Sequence, residues 1–312
     1  MRLYDVETVP FTFDGVTYRG VVGETLAAAL IANGVKVVAR SFKYHRPRGV
    51  MGSGSEEPNA LVTIGCGVAA EPNVRATVQE VYAGLEAFSQ NAWPSLKTDV
   101  MAINDLVSPF LGAGFYYKTF MWPKAFWEKV YEPIIRRAAG LGGLSGKADP
   151  ETYEKAFAFC DVLVIGAGPA GLMAALVAGE AGADVILAEE DCALGGLLLA
   201  EVEDIDGLPA MEWVASVEAR LQAMPNVRVM TRTSVTGAYD QGTFGAFERV
   251  DRAGLKACFW RIVAKRSVLC AGALERGIAF ANNDRPGVMM AGAVRAYVNR
   301  WDVATGARVC VW

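Results

Sequence analysis

Residues 161–171 read Asp-Val-Leu-Val-Ile-Gly-Ala-Gly-Pro-Ala-Gly, an apolar run that leads straight into a glycine-rich turn. Val162–Ile165 has the character of a strand buried on both faces of a parallel sheet. Gly166, Gly168 and Gly171 then satisfy G-x-G-x-x-G. The first glycine allows a tight turn, the second lets a pyrophosphate approach the backbone, and the third lets the next helix pack close to the strand. The pattern predicts that helix over Leu172–Ala181 and a second strand over Asp184–Ala188. The strand ends at Glu189, 18 positions after Gly171. An acid at that distance suits a ribose 2′-hydroxyl, which favours FAD or NAD over NADP and does not separate the first two. The candidate cofactor-binding residues here are Gly166, Gly168, Pro169, Ala170, Gly171, Glu189 and Glu190; the competing reading is a purely structural turn.

The chain has 312 residues, which suits two domains with a third open, and 53% of them are hydrophobic, ample for a core. A net charge of −4 and a pI near 5.3 argue against a general nucleic-acid binder. Residues 1–12 carry acids and a proline where a signal peptide needs an apolar core, and no uncharged apolar stretch reaches spanning length. A cytoplasmic location with no membrane partner is the default. Cysteines at 66, 160, 192, 258, 270 and 310 include no C-x-x-C pair and no ferredoxin run, so they read as buried free thiols. His45 is the only histidine, so neither a histidine metal centre nor a Ser-His-Asp triad is expected.

Toward the N-terminus, residues 10–20 read as a hairpin turning at Asp14-Gly15, Glu24–Asn33 as a short helix stopped by Gly34, and Leu61–Ile64 as a strand. That order resembles a β-grasp domain of the plant-type ferredoxin kind. Its cluster loop would correspond to Arg40–Asn59, which holds no cysteine. Arg40–Gly49 (Arg-Ser-Phe-Lys-Tyr-His-Arg-Pro-Arg-Gly) gathers basic and aromatic residues. It reads as a solvated basic loop, as a clamp for phosphate or carboxylate, or as a subunit contact; its aromatics suit stacking on a flavin or on a neighbouring chain. Gly52-Ser53-Gly54-Ser55 offers backbone N–H groups to such an anion. Phe120–Ala139 carries a helical apolar stripe interrupted by Pro133, read as core or subunit interface rather than a membrane surface. Residues 140–150 read as a linker.

Beyond Glu189, Gly195-Gly196 offers backbone to a ribose or pyrophosphate, or makes a plain turn. Glu212–Ala223 is predicted helical and Val227–Met230 a strand. Residues 232–262 suit an antiparallel crossover ribbon, and Ser267–Cys270 a strand closing on Ala271-Gly272. Those two small residues partly match the second fingerprint of two-dinucleotide flavoproteins. Ala291–Trp301 is predicted helical, and Ala307–Trp312 to open a buried strand that another segment or chain completes. The expected fold class is α/β: a Rossmann-type dinucleotide-binding domain preceded by a cluster-less β-grasp domain. The expected boundaries are 1–105 for the β-grasp-like domain, 106–158 for a helical connector, 159–300 for the dinucleotide domain, and 301–312 for the first strand of a truncated second one.

Several strings carry a further resemblance: Arg40–Gly49, Ser53–Leu61 (Ser-Gly-Ser-Glu-Glu-Pro-Asn-Ala-Leu), Ser89–Leu96 (Ser-Gln-Asn-Ala-Trp-Pro-Ser-Leu), Asp161–Gly171, Cys270–Arg276 and Asn282–Gly287 (Asn-Asn-Asp-Arg-Pro-Gly). The chain resembles the N-terminal part of the α subunits of heterotetrameric sarcosine oxidase and related N-methyl amino acid oxidases and dehydrogenases, such as N-methylglutamate dehydrogenase. The resemblance implies NAD in this chain, held by Gly166, Gly168, Gly171 and Glu189, with Gly195 and Gly196 beside it. It also implies β, γ and δ subunits and a longer α subunit, with FMN at the α/β interface and FAD, tetrahydrofolate and zinc elsewhere in the complex. In such an enzyme a small secondary amine is oxidised and its one-carbon unit passes to tetrahydrofolate. Lys43, His45, Arg46 and Arg48 are candidates for the FMN phosphate or the β-subunit contact.

Two other readings stand beside this one. The chain as a stand-alone FAD-dependent oxidoreductase of the pyridine nucleotide-disulfide reductase class lacks the expected C-x-x-C. As a structural or assembly subunit it would use its dinucleotide to stiffen the fold. No residue of this chain is a convincing catalytic base for amine oxidation, so the catalytic residues stay unassigned.

Overall fold

The computed structural model describes residues 2–4, 7–106, 108–112, 114, 120, 122–138, 142–252 and 254–311. Met1, Trp312 and Ala139, which close or open predicted segments, lie outside them, as do residues 140 and 141 of the predicted linker. The chain divides into two compact units: Met1–Ala148 together with Glu275–Trp312, and Asp149–Leu274.

In the first unit, β1 (Val9–Phe13) and β2 (Val16–Gly20) form the expected antiparallel hairpin. Asp14 and Gly15 at its tip have φ of 49° and 76°, the positive values a two-residue primed turn demands. Helix α1 (Leu26–Ala32) starts on Thr25, whose Oγ1 accepts the Ala28 N–H at 3.2 Å, and stops before Gly34 at φ 78°. The hairpin β3 (Ala39–Arg40) and β4 (Pro47–Arg48) follows, then β5 (Leu61–Ile64), β6 (Glu71–Arg75) and β7 (Glu86–Ser89). The main sheet runs β2-β1-β7-β5-β6, with β1 and β7 parallel. Phe11, Phe13, Leu26, Leu30, Val62 and Leu85 are buried. One helix over a mixed sheet is the β-grasp arrangement the sequence suggests.

Helix α2 (Glu132–Ala138) follows a π-helical turn, Trp127–Tyr131. Pro133 does not end it: the π-helical turn, in which the Glu132 N–H donates to Trp127 O, runs directly into the helix. The predicted stripe is not core: Phe126, Trp127, Val130 and Ile134 are exposed.

In the second unit, β8 spans Tyr153–Ile165, well beyond the predicted Val162–Ile165. Along its first half Phe157 and Phe159 are exposed while Ala158 and Cys160 are buried. That two-residue alternation marks a half-solvated strand, whereas the apolar run marks only the portion buried on both faces. Helix α3 (Pro169–Glu180), β9 (Val185–Ala188), the small hairpin β10 (Asp204–Ile205) and β11 (Leu208–Pro209), helix α4 (Ala210–Gln222) and β12 (Val227–Met230) come next. Then β13 (Thr233–Tyr239), β14 (Thr243–Arg252) and β15 (Leu255–Leu269) form the predicted ribbon, whose last strand runs on without a break into the predicted strand near Cys270. The sheet order is β12-β9-β8-β15-β14-β13, parallel through β15 and antiparallel after it. Leu172, Leu176, Trp213, Val217 and Leu221 pack with Val164, Val185 and Leu187 in one core. Leu163, Ile186, Met230, Phe244 and Ile262 belong to a second.

Residues 275–312 cluster with the first unit, although the sequence suggests continuation of the dinucleotide domain to residue 300. Helix α5 (Ala291–Trp301) buries Ala293, Ala296, Tyr297 and Trp301. Of the strand predicted over 307–312, residues 307–311 are exposed and irregular in this chain alone. A buried strand needs a ladder partner, and among the described residues this segment has none. No helix among the described residues is long and apolar enough to cross a membrane.

Candidate functional site

The second unit brings its sequence-predicted residues to the carboxyl ends of three adjacent strands, where open α/β sheets bind ligands. Register pairs Ile165 of β8 with Ala188 of β9 and with Leu269 of β15, so Gly166, Glu189 and Cys270 emerge side by side. The Cys270 N–H donates to Ile165 O at 2.8 Å and the Gly166 N–H to Ala188 O at 2.8 Å, which locks the three ends together.

Each glycine of the turn has its own reason. Gly166 has φ 96°, and a Cβ there would stand 2.5 Å from the carbonyl oxygen of Cys270. A Cβ on Gly171 would collide with the carbonyl oxygen of Gly166. Gly168 is different: a Cβ on it meets nothing within 4 Å. Packing therefore demands the first and third glycines, while the second borders open space, as a backbone that receives a ligand must. Gly168 also caps α3 without any side-chain hydrogen bond, and Pro169 fills the first helical position, leaving the first-turn amides of Ala170 and Gly171 directed along the helix axis.

Two more pieces close on this turn. The Gly195 N–H donates to Ala167 O at 2.9 Å, and a Cβ on Gly196, whose φ is 56°, would stand 2.9 Å from the Cα of Gly168. The glycine pair thus packs on the backbone of the glycine-rich turn. Glu189 is only 7% exposed. Its Oε2 accepts the Ala167 N–H at 2.6 Å and its Oε1 the Asp191 N–H at 2.9 Å. Burial raises its pKa above the ordinary carboxylate value, against those two hydrogen bonds. Glu190 is exposed, and its carbonyl accepts from Arg249 at 3.3 Å. Ala271 presses its backbone on Gly166, whereas Gly272 has open space. The donor set and the cradle fit the pyrophosphate and ribose of an adenine dinucleotide.

The thiols are less uniform than predicted. Cys160 and Cys258 are buried, Cys192 and Cys270 half-buried, and Cys66 and Cys310 exposed. Burial, with Asp184 and Asp161 nearby, pushes the Cys160 thiol up to about 11.

In the first unit the basic loop is not a set of bare cations. Arg48 pairs with Asp284 at 3.0 Å, and Arg46 with Asp105 at 2.8 Å and Asp284 at 3.9 Å. The Lys43 ammonium donates to Gly112 O at 2.9 Å and lies 5.0 Å from the centre of the Tyr44 ring, with the Arg46 guanidinium also at 5.0 Å. His45 is 3% exposed, with φ 54°, and its Nδ1 lies 2.6 Å from Asp99 Oδ2. The sequence reading missed these carboxylates, because Asp99, Asp105 and Asp284 lie far away in the chain. The amides of Gly52, Ser53 and Gly54, offered above to an external anion, are taken by Glu57 and Glu56. A cavity of about 220 Å³ is lined by Arg40, Ser41, Asn59 and Asn91 among others. Its polar groups are largely committed: Arg40 donates to the carbonyls of Leu96 and His45, and Asn91 to those of Arg40 and Ser41.

Comparisons with known proteins follow the same division. Residues 6–92 match the family described as 2Fe-2S iron-sulfur cluster binding domain, and residues 161–270 the family described as FAD dependent oxidoreductase. A cluster of that kind needs four thiolates, and Cys66 is the sole cysteine within 6–92, so the first unit does not fit the group its family is named for. The solved L-proline dehydrogenase of P. horikoshii shares the fold, with a TM-score of 0.65 at 23% identity over 98% of this chain and 49% of its own. The α subunit of sarcosine oxidase from Rhizobium meliloti is 58% identical over 95% of this chain and 31% of its own length. The corresponding subunit from Corynebacterium sp. strain U-96 is 35% identical over 99% of this chain and 28% of its own. The chain therefore spans less than a third of the length of these curated relatives. By these likenesses it belongs to the sarcosine oxidase α-subunit family and corresponds to the N-terminal part of those subunits.

Proposed function

We propose that this chain is the dinucleotide-holding portion of the α subunit of a multi-subunit flavoenzyme that oxidises sarcosine or a similar secondary N-methyl amine. The observation that carries the reading is the 58% identity over 95% of the chain, combined with a glycine turn whose middle residue faces open space. Gly166, Gly168 and Gly171, with the amides opening α3, hold the pyrophosphate. Glu189 holds the ribose at the end of β9, and Gly195-Gly196 and Ala271-Gly272 flank the cofactor. NAD is the dinucleotide the family resemblance implies; the match of residues 161–270 to FAD-dependent oxidoreductases supports FAD as the second reading. A flavin supplies hydride acceptance from the C–N bond when bound. The partners are β, γ and δ subunits and the rest of the α subunit, with FMN at the α/β interface, FAD, tetrahydrofolate and zinc elsewhere, and a cytoplasmic site of action.

For residues 43–48 the subunit-contact role is favoured over the phosphate clamp, since Arg46 and Arg48 are already paired with carboxylates. Charge reversal at both arginines tests this: loss of the β subunit with FMN supports the contact, and an intact, FMN-replete complex removes it. The function itself is tested by anaerobic titration of the purified complex with sarcosine. Bleaching of the flavin absorbance is expected. An unchanged spectrum with sarcosine and with other N-methyl amino acids contradicts the proposal.

A further inference from the structure

Plant-type [2Fe–2S] ligation follows the spacing C-x4-C-x2-C with a distant fourth cysteine. On the loop that replaces the cluster loop, that spacing falls on Gly52, Glu57 and Ala60, and the geometry of the three converges. The Glu57 carboxylate is 1% exposed and accepts four backbone N–H groups: Met51 at 2.8 Å and Gly52 at 2.6 Å on Oε2, Asn59 at 2.7 Å and Ala60 at 3.1 Å on Oε1. The fourth position is Thr77. It is buried, its Oγ1 donates to Gly54 O at 2.6 Å, and the neighbouring Ala76 N–H donates to Ala60 O at 2.9 Å.

We propose that Gly52, Glu57, Ala60 and Thr77 occupy the four ligand positions of a [2Fe–2S] cradle, and that the Glu57 carboxylate has replaced the anionic cluster as the centre on which the loop amides converge. Backbone N–H nests of this kind serve phosphate and iron–sulfur sites generally, and their shared requirement is a negative centre. A carboxylate on the loop's own backbone supplies that charge without metal or thiolate. Helix α5 seals the arrangement: Tyr297, fully buried, donates its hydroxyl to Gly52 O at 3.0 Å, and the Met290 N–H donates to Met51 O at 2.9 Å. The first unit is therefore a redox-silent scaffold, closed on an internal anion, and electron transfer in the complex bypasses it.

Anaerobic incubation of the full chain with ferrous iron and sulfide, followed by iron and acid-labile sulfide assay and EPR of the reduced sample, tests the assignment. The unmodified chain is expected to hold no iron above the buffer control. The variant Gly52→Cys/Glu57→Cys/Ala60→Cys/Thr77→Cys is expected to hold about two irons and two sulfides per chain, with a rhombic [2Fe–2S] signal. Uptake of a cluster by the unmodified chain overturns the proposal, as does a four-cysteine variant that folds and takes none. If that variant does not fold, thermal melting of Glu57→Gln and Glu56→Gln decides. A fall of several degrees confined to Glu57→Gln supports the filled cradle; equal melting of the two variants overturns it.

Discussion

Oε2 of Glu189 accepts the N–H of Ala167 at 2.6 Å, so the acid that ends β9 and the middle of the glycine turn form one buried unit. This ties the acid proposed for the ribose to the turn proposed for the pyrophosphate. Burial raises the pKa of Glu189. Between about pH 4.5 and that raised value the folded chain then binds more protons than the unfolded one, so stability falls as pH rises through the window. Glu189→Gln removes this contribution. The stability of the variant relative to the native protein is expected to grow through the window and level off above it. Denaturant titrations of both proteins over a pH series check this; Glu24, whose pKa is also raised, cancels in the comparison. A pH-independent difference contradicts it.

The three turn glycines separate fold from ligand. Gly171→Ala drives a methyl into the Gly166 carbonyl and is expected to destabilise the second unit by about 1–3 kcal/mol. Gly168→Ala meets open space at φ −67°, so its stability should change by less than about 0.5 kcal/mol. It should nonetheless lose bound dinucleotide, because the methyl occupies the approach of the pyrophosphate. Thermal melting paired with cofactor extraction reads both effects. Gly168→Ala with full dinucleotide content removes the assigned role of that backbone.

His45 and Asp99 form a buried polar pair in the first unit. Asp99 Oδ1 also accepts the N–H groups of Trp93 at 3.1 Å and Met101 at 3.2 Å. Asp99→Ala leaves the imidazole and two amides short of an acceptor, and a loss of about 3 kcal/mol is expected. Chemical denaturation measures it, and a loss under about 0.5 kcal/mol, typical of surface changes, shows that the pair does not hold the loop.

The two arginine pairs of the basic loop differ in shielding. Arg48 and Asp284 side chains are 22% and 16% exposed, against 43% and 45% for Arg46 and Asp105. Double-mutant cycles to alanine should give about 1 kcal/mol of coupling for the first pair and less than about 0.5 kcal/mol for the second. The reverse order contradicts the ranking by shielding.

What the sequence discloses is local and periodic. The hairpin tip at Asp14-Gly15, the stop of α1 before Gly34 and the strand–turn–helix that begins at Val162 each depend on neighbours within a few residues, and each is found, the last helix opening at Pro169 ahead of the predicted Leu172. Gly195, Gly196, Ala271 and the glycine turn do converge, because parallel-sheet topology forces strand ends together. The long-range acids are another matter. Nothing near His45, Arg46 or Arg48 announces Asp99, Asp105 or Asp284, so a charge-dense loop reads as solvated, as an anion clamp or as a subunit contact, and its internal pairing stays hidden. Glu57 is hidden for the same reason: its role lies in four backbone amides, which carry no sequence signature. The first half of β8 also escapes, because Phe157 and Phe159 alternate with small residues and face solvent instead of forming an apolar run.

The most direct test of the account is acid extraction of the purified chain in its native complex, with the released nucleotide identified by mass spectrometry. One adenine dinucleotide per chain is expected from the native protein, with depletion in Gly168→Ala while the variant stays folded. A native chain that releases no dinucleotide, or a variant that retains as much as the native protein, contradicts it.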